Sequence, residues 1–149
     1  MPFIPYFVRV LRFLFSIDEL PSELVTTETS AYYCLDGTLC LDQGTDLVFE
    51  ECGVPLVEFA VWLSGWWKSN QPALSYTPEG SDPDYGPMLL LASAGETSYR
   101  LTYTWGNTLA NWTAEQAEWE DAVTQFREAL RKVVLERYRL RLDRLLPPF

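Results

Sequence analysis

The sequence predicts a single α+β domain, residues 1–149, in which an antiparallel sheet of about five or six strands carries two helices on one face. Three observations support this class. The stretch at 54–68, VPLVEFAVWLSGWWK, is apolar almost all the way round at helical spacing. Residues 113–140 repeat apolar side chains at steps of three and four. Several shorter segments instead alternate with the period of two that is typical of strands.

The first helix is predicted over residues 55–68. Pro55 suits a first helical turn, where its missing N–H would be unbonded in any case. At about fourteen residues the stretch is shorter than the roughly twenty needed to cross a bilayer, so we expect a buried core helix with Trp62 inside. The positions left facing water are Glu58, Ser64 and Lys68.

The first half of the chain predicts strands joined by short turns. Residues 7–17 are largely apolar on both faces, as in a strand inside a sheet, although a helix is the alternative. Asp36 and Gly37 stand between two apolar runs and predict a two-residue hairpin turn. A second turn at 43–44 leads to a strand at 47–51 and from there directly into the first helix.

The second half predicts another hairpin, a turn-rich segment and a long helix. Residues 88–94 and 97–105 form the hairpin, and the second arm alternates as a half-buried strand does. A short strand at 74–77 precedes it. Thr113 and Gln116 match a capping box, which explains this region better than the overlapping glycosylation pattern does.

The chain carries a net charge of −10, and this charge is unevenly distributed. Residues 1–111 hold 4 basic and 14 acidic side chains, whereas residues 112–149 hold 7 of each. A field of this sign repels nucleic acid and anionic lipid and attracts basic partners. Simple solubility is an equally weighted explanation of the same charge.

The residue types that are missing exclude several classes of chemistry. The sequence has no histidine, which removes Ser–His and Cys–His nucleophiles and the common histidine metal sites. Its three cysteines contain no CxxC motif, so we expect buried, reduced thiols and a cytoplasmic protein. The apolar start is interrupted by Arg9 and Arg12 and leads to no small-residue cleavage site, so no signal peptide is predicted. No metal and no cofactor are expected.

The order of the segments ELPSEL, TSAYY, VFEE, LVEFAVWLSGW and YRLTYTW resembles a known kind of protein. It is similar to small uncharacterised bacterial proteins of the kind found among immunity proteins of contact-dependent and polymorphic toxin systems. The resemblance spans residues 7–138 and includes no catalytic motif. It implies a cytoplasmic protein that binds and blocks a toxin.

The leading hypothesis is therefore a non-catalytic protein that binds a cognate, basic toxin through exposed carboxylates. The alternatives are a small-ligand-binding domain with an aromatic core pocket and a carboxylate-dependent enzyme, which needs two acids facing each other across a cleft. For each carboxylate, simple solvation of a turn is the competing explanation. The predicted partner-binding residues are Asp42, Asp46, Glu50, Glu51, Glu79, Asp82 and Asp84.

Overall fold

Two antiparallel sheets and three α-helices make up the part of the chain that the structure, a computed structural model, describes: residues 10–44, 46–66, 73–106 and 109–148. The strands are β1 Arg12–Ile17, β2 Asp36–Asp42, β3 Leu47–Pro55, β4 Ala73–Tyr76, β5 Leu89–Ser93, β6 Ser98–Tyr103 and β7 Ala110–Glu115. The helices are α1 Glu28–Cys34, α2 Leu56–Ser64 and α3 Gln116–Tyr138. Single 3₁₀ turns lie at Ser22–Leu24 and Pro83–Tyr85.

The α+β class and the antiparallel pairing are confirmed, but the strands do not form one sheet. Sheet A has the order β1-β2-β3 and sheet B has the order β4-β5-β6-β7. The strands thus number seven among the described residues, and α1 is a helix that the sequence pattern did not predict. The β5–β6 hairpin and the short strand β4 lie where they were predicted.

The predicted hairpin turn at Asp36-Gly37 is wrong. Thr27 and Ser30 form a capping box that begins α1, so the run before Asp36 is helical rather than extended. Asp36 and Gly37 are the first residues of β2, and Gly37 pairs with Ile17 on one side and with Val54 on the other. A Cβ atom on Gly37 would overlap the carbonyl oxygen of the neighbouring β1 strand. Glycine is therefore needed here for close packing between strands and not for a turn.

We expect Gly37→Ala to destabilise the fold by roughly 1–3 kcal/mol or more, because the new methyl group must push β1 away from β2. It would also stand 2.8 Å from Cδ1 of Leu56 at the start of α2. Gly65→Ala is the matched control, since its Cβ would meet its nearest atom at 3.6 Å and its φ is −82°. The control should stay within about 1 kcal/mol of the unaltered chain in urea unfolding. Equal losses in the two variants would contradict this account of Gly37.

Strand β1 lies at an edge of sheet A and not inside a sheet as predicted. Within the described residues it pairs with β2 alone. Its burial alternates accordingly, with Phe13 buried and Arg12, Leu14 and Ser16 exposed. The part of the predicted strand before residue 10 lies outside the described residues.

Helix α3 begins three residues later than predicted. Thr113 lies in β7 and pairs with Arg100, so it is part of a strand and does not cap the helix. The cap is formed instead by Glu115 and Glu118. The helix ends at Tyr138, and Arg139 follows it with a φ of +56° in the left-handed conformation that commonly ends helices.

Phe59 on α2 joins the two sheets and α3 in one core. Its ring centroid lies 5.6 Å from that of Phe13 in sheet A, 5.6 Å from that of Phe126 in α3 and 5.3 Å from that of Tyr76 in sheet B. Phe59 is fully buried, whereas Trp62, which was predicted to be buried, is half-buried beside it. Aromatic pairs at these distances add to the stabilisation that comes from burying their area.

The segment 139–148, here called the C-terminal strap, packs back across the helices. Leu142 and Leu146 are completely buried in the core. Arg127, itself 3% exposed, donates hydrogen bonds to Oγ of Ser64 and to the carbonyl oxygen of Pro147. Two to three residues before Pro147, the carboxylate of Glu28 accepts hydrogen bonds from the backbone N–H groups of residues 144 and 145. Buried leucines and charge-assisted hydrogen bonds together hold the strap in place.

Candidate binding site

The predicted carboxylates at the β2–β3 turn form hydrogen bonds and an ion pair that stabilise that turn. Asp42 lies 3.7 Å from Arg12 in an ion pair and accepts a hydrogen bond from the N–H of Gly44. Asp46 accepts one from the side-chain amide of Gln43 at 2.8 Å. The turn itself is as predicted, and Gly44 has the positive φ that favours glycine. These two acids have a structural explanation that needs no partner.

Glu50 and Glu51 lie on opposite sides of β3. Glu50 is exposed beside Cys40, and burial first, then the charge of Glu50, raises the pKa of that thiol. Glu51 accepts a hydrogen bond from the hydroxyl of Tyr103, which joins sheet A to sheet B. Burial and this bond raise the pKa of Tyr103.

The three cysteines are free, but Cys40 is half-buried and the other two are exposed, so the expectation of buried thiols is wrong.

Glu79, Asp82 and Asp84 lie in the connection between β4 and β5, and all three are exposed. The side chain of Asp82 accepts a hydrogen bond from the N–H of Asp84 at 2.9 Å and so begins the short 3₁₀ turn. Glu79 is placed differently, because its backbone N–H donates to the carboxylate of Glu58 on α2 at 3.0 Å. This contact brings one predicted site residue to a cleft that the sequence did not reveal.

This cleft, here called the Glu58 cleft, opens where α1, α2 and β4 meet. Two adjoining cavities of about 440 Å³ and about 330 Å³ share Tyr32, Glu58 and Glu79 in their walls. Glu58 was predicted to face water but is 8% exposed. Among the described residues, the carboxylate of Glu58 accepts hydrogen bonds from the backbone N–H of Glu79. The distances are 3.0 Å to one carboxylate oxygen and 3.4 Å to the other.

Tyr76 adds an unsatisfied polar group to the same place. Its hydroxyl is buried and has no hydrogen-bond partner among the described residues. Burial raises the pKa of Tyr76, and the adjacent carboxylate of Glu58 raises it further, by its negative charge and as a hydrogen-bond acceptor close to the hydroxyl. A buried hydroxyl without a partner costs stability, because it has lost its hydrogen bonds to water without replacing them.

The described charged side chains that line the cleft are all acidic. Asp36 lines the larger cavity, and burial, together with the charge of Asp18, raises the pKa of its carboxyl group. Burial and the charges of Glu58 and Glu79 likewise raise the pKa of Tyr32. No lysine or arginine is among the described residues that line either cavity. The cleft therefore suits a ligand that brings a positive charge.

A metal ion is not the ligand that these side chains would select. Nowhere in the described ranges do three side chains of the metal-ligating types come together. Divalent cations need several carboxylate oxygens that converge on one point, whereas five of the described residues that line the cleft are aromatic. An organic cation matches this combination of one deep carboxylate and aromatic surface better.

Sequence reasoning missed the cleft because its parts come from separate elements. A carboxylate inside a run that is apolar all round was a signal that Glu58 is buried, but it was assigned to the water-facing positions. Tyr32 had no such signal, because α1 was predicted as a strand. Tyr76 was predicted in a short strand, and nothing in the sequence near it indicates its neighbours on α2.

Comparison with known proteins identifies a family. Residues 13–136 match the model of DUF7878, a domain of unknown function. The chain belongs to this family. No match was found among curated proteins or among solved structures. The part that matches DUF7878 contains every wall of the Glu58 cleft and ends before the C-terminal strap. Within the described residues of this DUF7878 chain, no helix has the length and apolar character that crossing a membrane requires.

We expect Tyr76→Phe to leave the free energy of unfolding within about 0.5 kcal/mol, or to raise it by up to about 1 kcal/mol, because it removes a buried hydroxyl that has no partner. The matched control is Tyr103→Phe, which removes the hydrogen bond to Glu51 and should cost about 1–2 kcal/mol. Urea unfolding at neutral pH measures both. A loss in Tyr76→Phe as large as in the control would show that the hydroxyl is bonded after all.

Asp36→Asn should stabilise the protein at neutral pH, and the gain should disappear in acid. The pKa of Asp36 is raised in the folded state above its ordinary value of 3.8, so ionisation costs more in the folded chain than in the unfolded one. The cost is present above the folded-state pKa and absent below the ordinary value. Asp18→Asn should give a smaller gain, since burial of Asp36 remains. Unfolding curves across this pH range would refute the account if the gain from Asp36→Asn did not change with pH.

Proposed function

We propose that this DUF7878 chain is a non-catalytic binding protein of the cytoplasm, specifically an immunity protein that binds and neutralises a basic bacterial toxin. The observation that carries the proposal is a surplus of carboxylates that the chain does not neutralise itself. The sequence has 21 acidic residues. Between described residues, two ion pairs form, Arg12 with Asp42 and Arg131 with Asp143. Of the seven predicted site residues, Asp42 alone takes part in one of them.

Such a charge distribution favours association with a basic surface. Like charges on a folded chain repel one another, and a partner of opposite charge relieves this repulsion when it binds. The same field speeds the encounter, since long-range attraction steers a basic protein towards the acidic side. Both effects weaken as salt screens the charges.

The β4–β5 connection is the better candidate for the contact. Glu79, Asp82 and Asp84 are exposed there, and they are followed directly by Tyr85, which is 70% exposed and packs loosely against Trp105. Exposed tyrosine beside charged residues is typical of the positions that dominate binding energy at protein interfaces. At the β2–β3 turn, by contrast, the acids are already bonded within the chain.

A small-ligand-binding protein is the second candidate, and the Glu58 cleft is the observation that favours it. Clefts of a few hundred cubic ångströms with aromatic walls and a few polar groups are typical ligand sites. The two functions differ in what they need. Binding of a toxin should depend on the exposed charges of the β4–β5 connection, whereas binding of a small ligand should not.

We expect replacement of Glu79, Asp82 and Asp84 by Gln or Asn to slow association with a basic toxin encoded beside this chain, by about tenfold at low salt. Surface charges steer the encounter, so the effect should shrink as ionic strength rises. Stopped-flow or surface-based kinetics measure it, and rescue of toxin-expressing cells gives the biological readout. The fold should be retained, because these side chains are exposed.

The control set is Asp42, Asp46, Glu50 and Glu51, changed in the same way. It removes a similar charge from the other acidic region, where the side chains have structural roles. If neither set changes association at any salt concentration, the acidity serves solubility alone and the proposed binding mode is rejected.

A further inference from the structure

We propose that the Glu58 cleft is a recognition pocket for the guanidinium group of an arginine side chain, presented by the protein partner. This inference rests on the proposed function and names what the partner must insert. Four features carry it: a buried carboxylate, a buried hydroxyl without a partner, aromatic walls and a chain segment that shapes the rim.

The first feature is the incomplete satisfaction of Glu58. A carboxylate can accept about four hydrogen bonds. Among the described residues, a single backbone N–H donates to Glu58, and its two carboxylate oxygens share that donor. Burial of a charge at 8% exposure is costly unless an opposite charge or several donors compensate it. A cation entering the cleft supplies that compensation, and it would find acceptor capacity still open.

The second feature is the hydroxyl of Tyr76, which lies in the same cavity as the carboxylate of Glu58. Tyr76 is 3% exposed and lines the smaller cavity together with Glu58, and its hydroxyl is unpaired among the described residues. A hydroxyl oxygen accepts hydrogen bonds as well as donating them. A guanidinium group has five N–H donors in a planar fork, so it is able to bond a carboxylate and a neighbouring hydroxyl at the same time.

The third feature distinguishes guanidinium from ammonium. Tyr32, Trp62 and Trp105 contribute aromatic surface to the two cavities. Guanidinium is planar and weakly hydrated, and it stacks on aromatic rings, whereas the ammonium of lysine is compact and strongly hydrated. A cleft that offers aromatic surface beside a buried carboxylate therefore favours arginine.

The fourth feature links the cleft to the exposed acids of the β4–β5 connection. Glu79 lines both cavities, and the same connection continues to Asp82, Tyr85 and Asp84. A basic surface drawn to these acids would be held at the mouth of the cleft. The exposed acids would then control the rate of encounter, while Glu58 and Tyr76 would control how long the complex lasts.

The test is a titration of the full chain, followed by NMR, with a blocked arginine, N-acetylarginine N-methylamide. We expect saturable shifts at about millimolar concentration, because so few atoms make contact. Blocked lysine should bind at least about fivefold more weakly, given the preference for a planar, weakly hydrated cation. Shifts should concentrate on the walls of the cleft.

Glu58→Gln is the decisive variant, because its amide oxygen still accepts the N–H of Glu79 while the charge is gone. It should weaken binding of the blocked arginine by roughly tenfold or more, since charge-assisted hydrogen bonds are the strong ones. Glu128→Gln is the matched control, as it removes one charge from an exposed position on α3 outside the cleft. Tyr76→Phe should weaken binding severalfold without loss of stability. Thermal unfolding confirms that each variant is folded.

Three results would overturn the inference. The first is no saturable binding of blocked arginine, and the second is an equal loss in Glu58→Gln and Glu128→Gln, which would mean general electrostatics. The third is free arginine binding far more tightly than the blocked form, which would make the cleft a small-molecule site.

The failure of this inference can be distinguished from the failure of the proposed function. If the toxin binds the Glu58→Gln variant as well as the unaltered chain, the pocket fails alone; if blocked arginine binds but the exposed acids do not affect toxin association, the proposed function fails alone.

Discussion

The packing of Phe59 between the two sheets is the constraint on which the rest of the molecule depends. The described strands of sheet A and sheet B do not pair with each other. The aromatic contacts of α2 and α3, the stacking of Phe49 on Tyr103 and the bond from Tyr103 to Glu51 therefore hold the sheets together. Successive residues of a helix are rotated by about 100°, so once Phe59 faces the core, Glu58 must stand to one side of it. That side is where α1 and β4 meet, and the cleft is a geometric consequence of the way the core is filled.

Two separate groups of side chains in the protein carry unneutralised negative charge. The buried carboxylate of Glu58 and the unneutralised acids of the β4–β5 connection both cost free energy in the isolated chain, the first through desolvation and the second through repulsion. Each cost is relieved by positive charge brought from outside. A molecule built in this way is less stable alone than its core would allow, and a positive charge bound at these acids would stabilise it.

Elements whose evidence is local were predictable from the sequence, and elements decided by distant neighbours were not. The β5–β6 hairpin and α2 follow from periodicity within their own residues. Asp36-Gly37 has the composition of a turn, but the glycine is there because the carbonyl of Ser16 and the side chain of Leu56 approach it. Thr113 has the spacing of a cap, but pairing with β6 decides its conformation.

The core of the protein can close only after the C-terminal strap has been synthesised. The family match ends at residue 136, yet Leu142 and Leu146 fill the interior beyond it. A chain leaving the ribosome emerges from its amino end, so both sheets are available before these leucines have been made. Until then the apolar surface that they cover stays open to water and to other chains. Closure of the interior therefore has to wait until the strap has been synthesised.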